Sequence, residues 1–197
     1  MSELAKKRLG RPRSHQSDQA ILQATPGLLA EIGFDAISIE AIAARAKVGK
    51  TTIYRRYDSK AELVADAIES VRQDVVIPDT GDFWQDIEQL IENAAQITLN
   101  PLGRKTVAMI ISSAASNAQF AQTYWTKYLQ PRRQAFAIVI ERAKARQQIQ
   151  PDLDPGLVFD AISGIMLYAL IFQPTDESWS AYVHRALHLL LKEAPKD

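Results

Sequence analysis

Hydrophobic residues recur every three to four positions along almost the whole of this 197-residue chain. An α-helix has 3.6 residues per turn, so this spacing places the apolar side chains on one face of successive helices. No run alternates apolar and polar residues as a half-buried strand does. Because 47% of the residues are hydrophobic, the chain can fill a sizeable core. The sequence therefore predicts an all-α protein of about nine helices.

Composition divides this helical chain into three parts. Residues 1–16 form a basic arm, which we expect to be flexible. Residues 17–62 contain three short helical segments and the start of a fourth. Residues 63–197 contain the rest of the fourth helix and then longer helices. The clearest break is Pro78-Asp79-Thr80-Gly81. We therefore expect a small domain over 17–62 and a larger helical domain over 63–197.

Charge is distributed unevenly, although the net charge is zero. Residues 1–60 carry five more basic than acidic residues, and residues 61–197 carry five more acidic than basic residues. This separation favours an anionic partner at the N-terminal end, such as nucleic acid.

Several classes of protein are disfavoured by residues that the chain lacks. There is no cysteine, which excludes disulfide frameworks, thiolate metal sites and cysteine nucleophiles. The basic N-terminus is not followed by an apolar signal segment, and the longest apolar stretch, 165–172, is far shorter than the ~20 residues that span a bilayer. We therefore expect a cytoplasmic protein that does not enter membranes.

The first four helices are marked by residues that start and stop helices. A helix over 18–32 is expected to end at Gly33, because glycine adopts the left-handed conformation found after many helices. Ser38 is expected to cap a second helix that ends near Ala46. A third helix follows over 49–57, and Ser59 with Glu62 fits the capping box of a fourth.

The third helix lies in KVGKTTIYRRY, residues 47–57, whose Gly-Lys-Thr matches the end of a phosphate-binding P-loop. A P-loop requires a glycine five positions before Gly49 and a preceding strand, because that glycine opens the backbone around the phosphates. Ala44 occupies the position, within a segment of helical pattern. The sequence therefore excludes a P-loop here.

A helix-turn-helix explains more of these residues. Ile53 and Tyr57 are four positions apart, so both can pack inward with Val48. The opposite face is polar, which is common for a surface helix but also suits the base edges and phosphates of a major groove. That face presents Lys50, Thr51, Thr52, Tyr54 and Arg55.

Residues 33–63, GFDAISIEAIAARAKVGKTTIYRRYDSKAEL, resemble the DNA-binding region of TetR-family transcriptional regulators. The resemblance lies in the Gly-Phe turn, the serine-capped second helix, the Thr-Ile-Tyr-Arg core and the Ser-Lys start of the next helix. Residues 151–171, PDLDPGLVFDAISGIMLYALI, are similar to the penultimate helix of many members. The resemblance implies an N-terminal helix-turn-helix domain followed by a larger helical domain for ligand binding and dimerisation.

The same resemblance implies residue roles. Residues 49–54 enter the major groove, Tyr54 contacts backbone or base, and Ser38 and Lys60 approach phosphates. Two positions depart from the family pattern. Lys47 stands where glycine is usual, so we expect a left-handed conformation that costs ~1 kcal/mol or more, and we hypothesise that its side chain contacts a phosphate. Gly49 replaces the more common serine and removes a hydroxyl from the start of the helix.

The basic arm contains KKRLGRPR, residues 6–13, which resembles the core of minor-groove AT-hook segments. Arg11 and Arg13 around a proline can follow the narrow, electronegative groove of A·T-rich DNA. A solubilising tail is the alternative. Because the arm precedes a DNA-binding domain, we expect it to contact DNA.

The larger domain contains no paired acids and no nucleophile beside a base, so we expect neither an enzyme nor a cofactor. His184 and His188 are spaced for one face of a helix, but no acidic residue lies nearby to complete a metal site. The family implies a ligand cavity among the middle helices, for which an apolar ligand is expected. Its candidate lining is Arg104, Met109, Ser112, Phe120, Tyr124, Trp125 and Phe136.

The last two helices, 155–172 and 178–192, are expected to form a four-helix interface between two identical subunits. Burial of these helices within one subunit is the alternative. The candidate interface residues are Ala161, Gly164, Tyr168, Trp179, Val183, Leu187 and Leu190.

The sequence therefore favours a homodimeric repressor that binds a pseudo-palindromic operator and is released by a small, largely apolar ligand. Two alternatives stay open. One is a DNA-binding protein of the same fold that is controlled by a protein partner or has no ligand. The other is a helical enzyme or small-molecule carrier, whose basic N-terminus serves solubility.

Overall fold

The computed structural model describes residues 15–72, 77–173 and 176–191, and these residues contain helices and no strand. The all-α prediction is confirmed. Residues 125–129 form a π-helical turn between α7 and α8, so that 118–145 is one continuous helical segment. The helices are α1 His15–Ala36, α2 Ile39–Ala46, α3 Lys50–Tyr54, α4 Lys60–Glu69, α5 Phe83–Leu99, α6 Pro101–Ser116, α7 Ala118–Tyr124, α8 Gln130–Ala145, α9 Pro155–Phe172 and α10 Trp179–Leu190.

Helix α1 changes direction at the predicted stop. Gly33 has φ 77° and ψ 172°, which interrupts the helix before its last turn. Pro26 lies inside α1 and has no N–H to donate, but the helix continues through it. The buried Thr25 hydroxyl, one residue before, donates to the Ile21 carbonyl at 2.8 Å.

Side-chain caps fix where the helices begin. The Ser38 hydroxyl accepts from the Ala41 N–H at 3.1 Å, as predicted for α2. At α4 the Ser59 hydroxyl accepts from the Glu62 N–H at 3.1 Å. The Glu62 carboxylate accepts from the Asp58 N–H, not from that of Ser59, so the second bond of the capping box is displaced by one residue.

The apolar side chains form two clusters. The first joins α1–α4 to Met109 and Ile110 of α6 and to Phe120 and Tyr124 of α7. The Phe34 and Phe120 rings are 5.1 Å apart across this junction. The second cluster contains side chains of α5, α8, α9 and α10. Packing is therefore continuous across the predicted domain boundary at 62–63, and α6 and α7 contact the N-terminal helices directly.

Helix α9 is the most apolar helix. Its 18 residues have a mean hydropathy of 1.8, enough by length and composition alone to cross a membrane, although a core helix of a soluble protein meets the same criterion. Only 28% of this helix is buried inside the subunit. The exposed apolar side chains include Leu157, Tyr168, Ile171 and Phe172. One subunit therefore leaves a large part of α9 uncovered.

The predicted dimer interface needs correction for three residues. Trp179, Val183 and Leu187 lie in the second cluster and are buried within the subunit. They form the apolar stripe with which α10 closes its own core, so they are not available to a partner. Gly164, Tyr168 and Leu190 are exposed and Ala161 is half-buried, in agreement with an outward face.

Candidate DNA-binding surface and internal cavity

The connection between α2 and α3 is a tight turn centred on Lys47. This residue is left-handed, with φ 55° and ψ 41°, which confirms the conformation expected from the sequence. Its N–H donates to the Ala44 carbonyl at 3.2 Å, and the Val48 N–H donates to the Ala43 carbonyl at 3.0 Å. This pair of bonds is a Schellman motif, which satisfies the last carbonyls of α2 and sets the angle at which α3 leaves it.

Helix α3 is held against the N-terminal core by its inner face. Ile53 is fully buried, and Val48 and Tyr57 pack partly buried against the same cluster, as predicted. The Arg56 side chain is only 6% exposed, forms an ion pair with Asp18 of α1 and donates to the Thr52 carbonyl at 2.8 Å. These contacts position α3 even though it has only five residues.

The outer face of α3 is open to solvent. Tyr54 is 60% exposed, Thr51 and Arg55 are exposed, and Thr52 is half-buried. Lys50 is also exposed, but its Nζ lies 2.8 Å from the Glu40 carboxylate on α2. This surface ion pair is weak in water and can exchange for a phosphate. The face therefore presents hydroxyl, phenol and guanidinium groups together, which is the chemistry needed to contact base edges and phosphates.

Gly49 is the N-cap of α3 and gives it no side-chain cap. Its backbone is extended, at φ −73° and ψ 142°, so the position does not require glycine. A Cβ here would meet the Thr51 hydroxyl at 3.7 Å, an ordinary contact. A serine side chain therefore fits at this position, and glycine removes only the hydroxyl that would cap α3 or contact DNA.

Lys60 has a structural role that the sequence did not reveal. Its Nζ donates to the carbonyls of Phe34 at 2.8 Å and Ile37 at 3.1 Å, and it lies 4.6 Å from the centroid of the Phe34 ring. These bonds tie the start of α4 to the end of α1. An ammonium has three N–H groups, so the expected phosphate contact stays a prediction for the third. Arg11 and Arg13 of the arm lie outside the described residues.

A cavity of about 370 Å³ opens among the helices of the larger domain. Each helix from α5 to α10 contributes to its lining, which is mostly aliphatic and aromatic. Arg72, two residues beyond the C-cap of α4, contributes as well. The lining includes Arg72, Thr98, Tyr124, Arg132, Phe136, Phe159, Ser163 and Leu170.

The cavity adjoins a cluster of polar side chains at the end of α4. The Tyr124 hydroxyl and the Arg132 guanidinium both donate to the Glu69 carboxylate, whose side chain is 10% exposed. Burial, and then the charge of Glu69, raise the pKa of Tyr124, so its hydroxyl stays protonated and donates. Two cavity-lining residues therefore bind the last residue of α4 directly.

The π-helical turn brings a second set of groups to the same helix. The Lys127 ammonium lies 3.0 Å from Glu62 and 2.6 Å from Asp66, and the Tyr128 hydroxyl donates to Asp66 at 2.6 Å. A π-turn rotates the side chains that follow it relative to a regular α-helix. The segment beside the cavity is thus linked to three successive acidic residues of α4.

Family models match both parts of the chain. Residues 21–67 match the family described as bacterial regulatory proteins, tetR family, and residues 77–190 match the tetracyclin repressor-like C-terminal domain. The chain belongs to the TetR family. YdeS of Bacillus subtilis, an uncharacterized HTH-type transcriptional regulator, is 34% identical over 175 residues, which is 88% of this chain and 87% of YdeS.

Other regulators match most of the chain. The DNA-binding transcriptional repressor TetR of Mycobacteroides abscessus is 26% identical over 85% of this chain and 89% of its own length. Among solved structures, the TetR family regulator SCO0332 superposes with a TM-score of 0.64 at 26% identity, covering 89% of this chain and 96% of that one. The flavonoid-responsive regulator FrrA has a TM-score of 0.70 at 20% identity, covering 93% and 100%, and shows the fold alone.

Membership of the TetR family settles the broad class. The chain is a DNA-binding transcriptional regulator and not an enzyme. Regulators of this family bind DNA operators as dimers. The helix-turn-helix predicted from the sequence lies within the N-terminal match, residues 21–67.

Of the seven residues predicted to line a ligand pocket in this TetR-family chain, the structure places two at this cavity. Tyr124 and Phe136 line the cavity. Phe120 and Met109 instead pack in the N-terminal cluster, and Arg104 donates to the Leu170 carbonyl at 3.0 Å from outside the lining. Ser112 and Trp125 are exposed. Helical spacing marked these residues as inward, but it could not tell a cavity wall from a junction between helices.

The two histidines of α10 pack against an aromatic side chain of α5. No group of three metal-binding side chains occurs among the residues that the structure describes. The His188 ring stacks on Trp84 of α5 with centroids 3.6 Å apart, and the His184 ring lies 4.5 Å from that of His188. The pair therefore packs α10 against α5.

Proposed function

We propose that this protein is a homodimeric repressor that binds a pseudo-palindromic operator and releases it when a small, largely apolar ligand enters the cavity. As a DNA-binding regulator, it acts in the cytoplasm. The observation that carries the proposal is the position of the cavity: its wall includes Tyr124 and Arg132, and both side chains bind Glu69 at the end of α4.

The proposed operator contact rests on the outer face of α3. Thr51, Tyr54 and Arg55 project from one exposed face, while Ile53 anchors the helix from behind. The five excess positive charges of residues 1–60 attract the phosphate backbone. In a dimer, two such helices reach major grooves about one helical turn, or a multiple of it, apart.

The proposed dimer rests on the uncovered part of α9. Leu157, Tyr168 and Phe172 on α9 and Leu189 and Leu190 on α10 are large apolar side chains open to solvent. Exposed apolar patches of this kind mark interfaces. A second copy that covers the same face by two-fold symmetry explains why an apolar helix of this length is left open within one subunit.

The proposed release couples the cavity to α4. Helix α4 begins at the Lys60 bonds to α1 and ends at Glu69 beside the cavity, so it connects the DNA-binding helices to the ligand. A ligand that shifts Tyr124 or Arg132 favours a different position of α4. Because binding energies are linked, operator DNA then weakens ligand binding by the same factor.

The test of operator binding is a gel shift at moderate salt with the promoter beside the protein's own gene. We expect sequence-specific binding. Alanine at Thr51 or Arg55 should change which operator sequence is preferred, since each base contact contributes ~1–3 kcal/mol. Alanine at Tyr54 should weaken binding to all sequences. Retention of wild-type discrimination by both Thr51→Ala and Arg55→Ala contradicts the groove assignment.

The arm is tested by deleting residues 1–13. If Arg11 and Arg13 contact the minor groove, deletion weakens DNA binding and flattens its dependence on salt, because fewer counterions are released. An unchanged affinity together with an unchanged salt dependence shows that the arm does not contact DNA.

A further inference from the structure

The cavity wall carries an imbalance of charge. Arg72 and Arg132 are its charged residues among those the structure describes, and neither is matched by an acidic residue in that lining. The remaining lining is apolar apart from a few neutral groups, among them the hydroxyls of Thr98, Tyr124 and Ser163. Charge in an apolar space is unfavourable unless a counter-charge approaches it. The wall is therefore suited to an anion.

Among the residues that the structure describes, the carboxylate paired with these arginines is that of Glu69, and it does not satisfy both guanidinium groups. It accepts from Tyr124 and from two nitrogens of Arg132. The Nε of Arg72 lies 3.8 Å from it, which is too long for a hydrogen bond. That Nε is buried and has no hydrogen-bond partner among the residues that the structure describes. One carboxylate is thus shared between two cations, and one buried donor is left over.

We infer that the ligand of this cavity is a small apolar acid, with one carboxylate beside Arg72 and Arg132 and a hydrocarbon or aromatic body along the apolar wall. This inference rests on the proposed function in one respect, that a ligand occupies this cavity. The body contacts side chains such as Phe136, Phe159 and Leu170, which line the space beyond the two arginines.

The charge of the ligand decides its selectivity. A carboxylate accepts charge-assisted hydrogen bonds from guanidinium groups, which are roughly twice as strong as neutral ones. A primary amide of the same body has similar size but no charge, so it gains less. We expect the carboxylate to bind about tenfold more tightly than the matched amide.

The same contact explains how ligand binding affects α4. A ligand carboxylate accepts hydrogen bonds from the guanidinium of Arg132, which otherwise pairs with Glu69. Two carboxylates on one guanidinium repel each other. Helix α4 is then held less firmly at its C-terminal end, and the conformer that fits the operator loses stability relative to others.

The experiment measures binding to the full-length protein by isothermal titration calorimetry. The probes are decanoate and decanamide, and biphenyl-4-carboxylate and its primary amide. In the wild type, we expect at least one carboxylate to bind about tenfold more tightly than its amide. The inference is overturned if neither carboxylate binds, or if both amides bind as tightly as their acids.

Substitutions of single arginines show which side chain gives the preference for the carboxylate over the amide. In Arg132→Gln the ratio of amide to carboxylate dissociation constants should fall towards one, whereas Arg132→Lys keeps a cation and should retain a preference. Arg133→Gln is the matched control, because Arg133 is the adjacent arginine of α8 and pairs with Asp160 away from the cavity lining. Arg72→Gln replaces Arg132→Gln if thermal melting shows that the latter is unfolded. A full preference in every folded variant also overturns the inference.

Addition of the same probes to the operator complex separates this inference from the proposed function. If carboxylates bind with the expected preference and release the operator, both are supported. Preferential binding without release supports the ligand class and contradicts the proposed release. Release by a matched amide with no advantage for the acid supports ligand-controlled repression and overturns the carboxylate assignment.

Discussion

Replacement of Lys47 by glycine should move stability and DNA binding in opposite directions. Lys47 is left-handed, with φ 55° and ψ 41°, a conformation that costs a residue with a Cβ about 1–2 kcal/mol. Glycine removes this cost but loses about 0.5–1 kcal/mol more backbone entropy on folding. The net expectation is a gain of roughly 0.5–1 kcal/mol in the free energy of unfolding, or about 1–4 °C in Tm for a chain of this length.

The same substitution removes a charge beside the proposed DNA surface. If each Lys47 of a dimer contacts one phosphate, Lys47→Gly weakens operator binding and lowers the salt-dependence slope by about 2 per dimer. Urea denaturation followed by circular dichroism gives the stability, and gel shifts at several salt concentrations give the slope.

Two controls separate the backbone from the charge. Lys47→Ala keeps the backbone cost and removes the charge, so it should bind DNA as poorly as Lys47→Gly without the gain in stability. Gln147 has φ 58° and follows α8 in a turn with the same hydrogen-bond pattern as the turn at Lys47. Gln147→Gly should therefore stabilise the protein and leave DNA binding unchanged. Equal stability of Lys47→Gly and the wild type refutes the strain argument, and an unchanged salt slope refutes the phosphate contact.

Three further outcomes follow from the same structure. Gly49→Ser should stabilise α3 by a few tenths of a kcal/mol through a new N-cap, as measured by urea denaturation. A loss of stability would contradict the conclusion that a side chain fits at this position. Ile53→Ala should cost about 2–4 kcal/mol because the side chain is fully buried, and a loss below 1 kcal/mol in the same assay contradicts the packing. The hydrogen bond from the Asp58 N–H lowers the pKa of Glu62 in the folded protein below its ordinary value of 4.5. The stability that this bond contributes is therefore complete above pH 4.5 and is lost as the pH falls through the pKa of Glu62 in the folded protein. Glu62→Gln should remove that part of the acid dependence of Tm.

Local sequence signals predicted the helix-turn-helix closely. A serine before an apolar pattern, a left-handed turn at Lys47 and an i, i+4 apolar pair at Ile53 and Tyr57 each depend on residues a few positions apart, and the structure has all three. The roles of Lys60 and Glu69 were not accessible in this way. Their partners, Phe34 and Arg132, lie 26 and 63 positions away along the chain.

The larger domain shows the limit of periodicity most clearly. Phe120 and Phe136 are both inward aromatic residues on the same continuous helical segment, yet Phe120 packs on Phe34 whereas Phe136 lines the cavity. Likewise, the stripe of α10 that includes Val183 is apolar whether it faces its own core or a partner. A hydrophobic side chain determines that it must be buried but not against which surface.

The sequence by itself determined the helical class, the caps, the turn at Lys47 and the chemistry of the exposed face of α3, because these depend on backbone preferences and short-range periodicity. Only the tertiary structure decided that Glu69 is bound by two cavity residues, that two arginines share it, and that Trp179 and Leu187 belong to the subunit core. Those features arise where helices distant in sequence meet, and the free energy that selects one such meeting over another is a property of the whole packed chain.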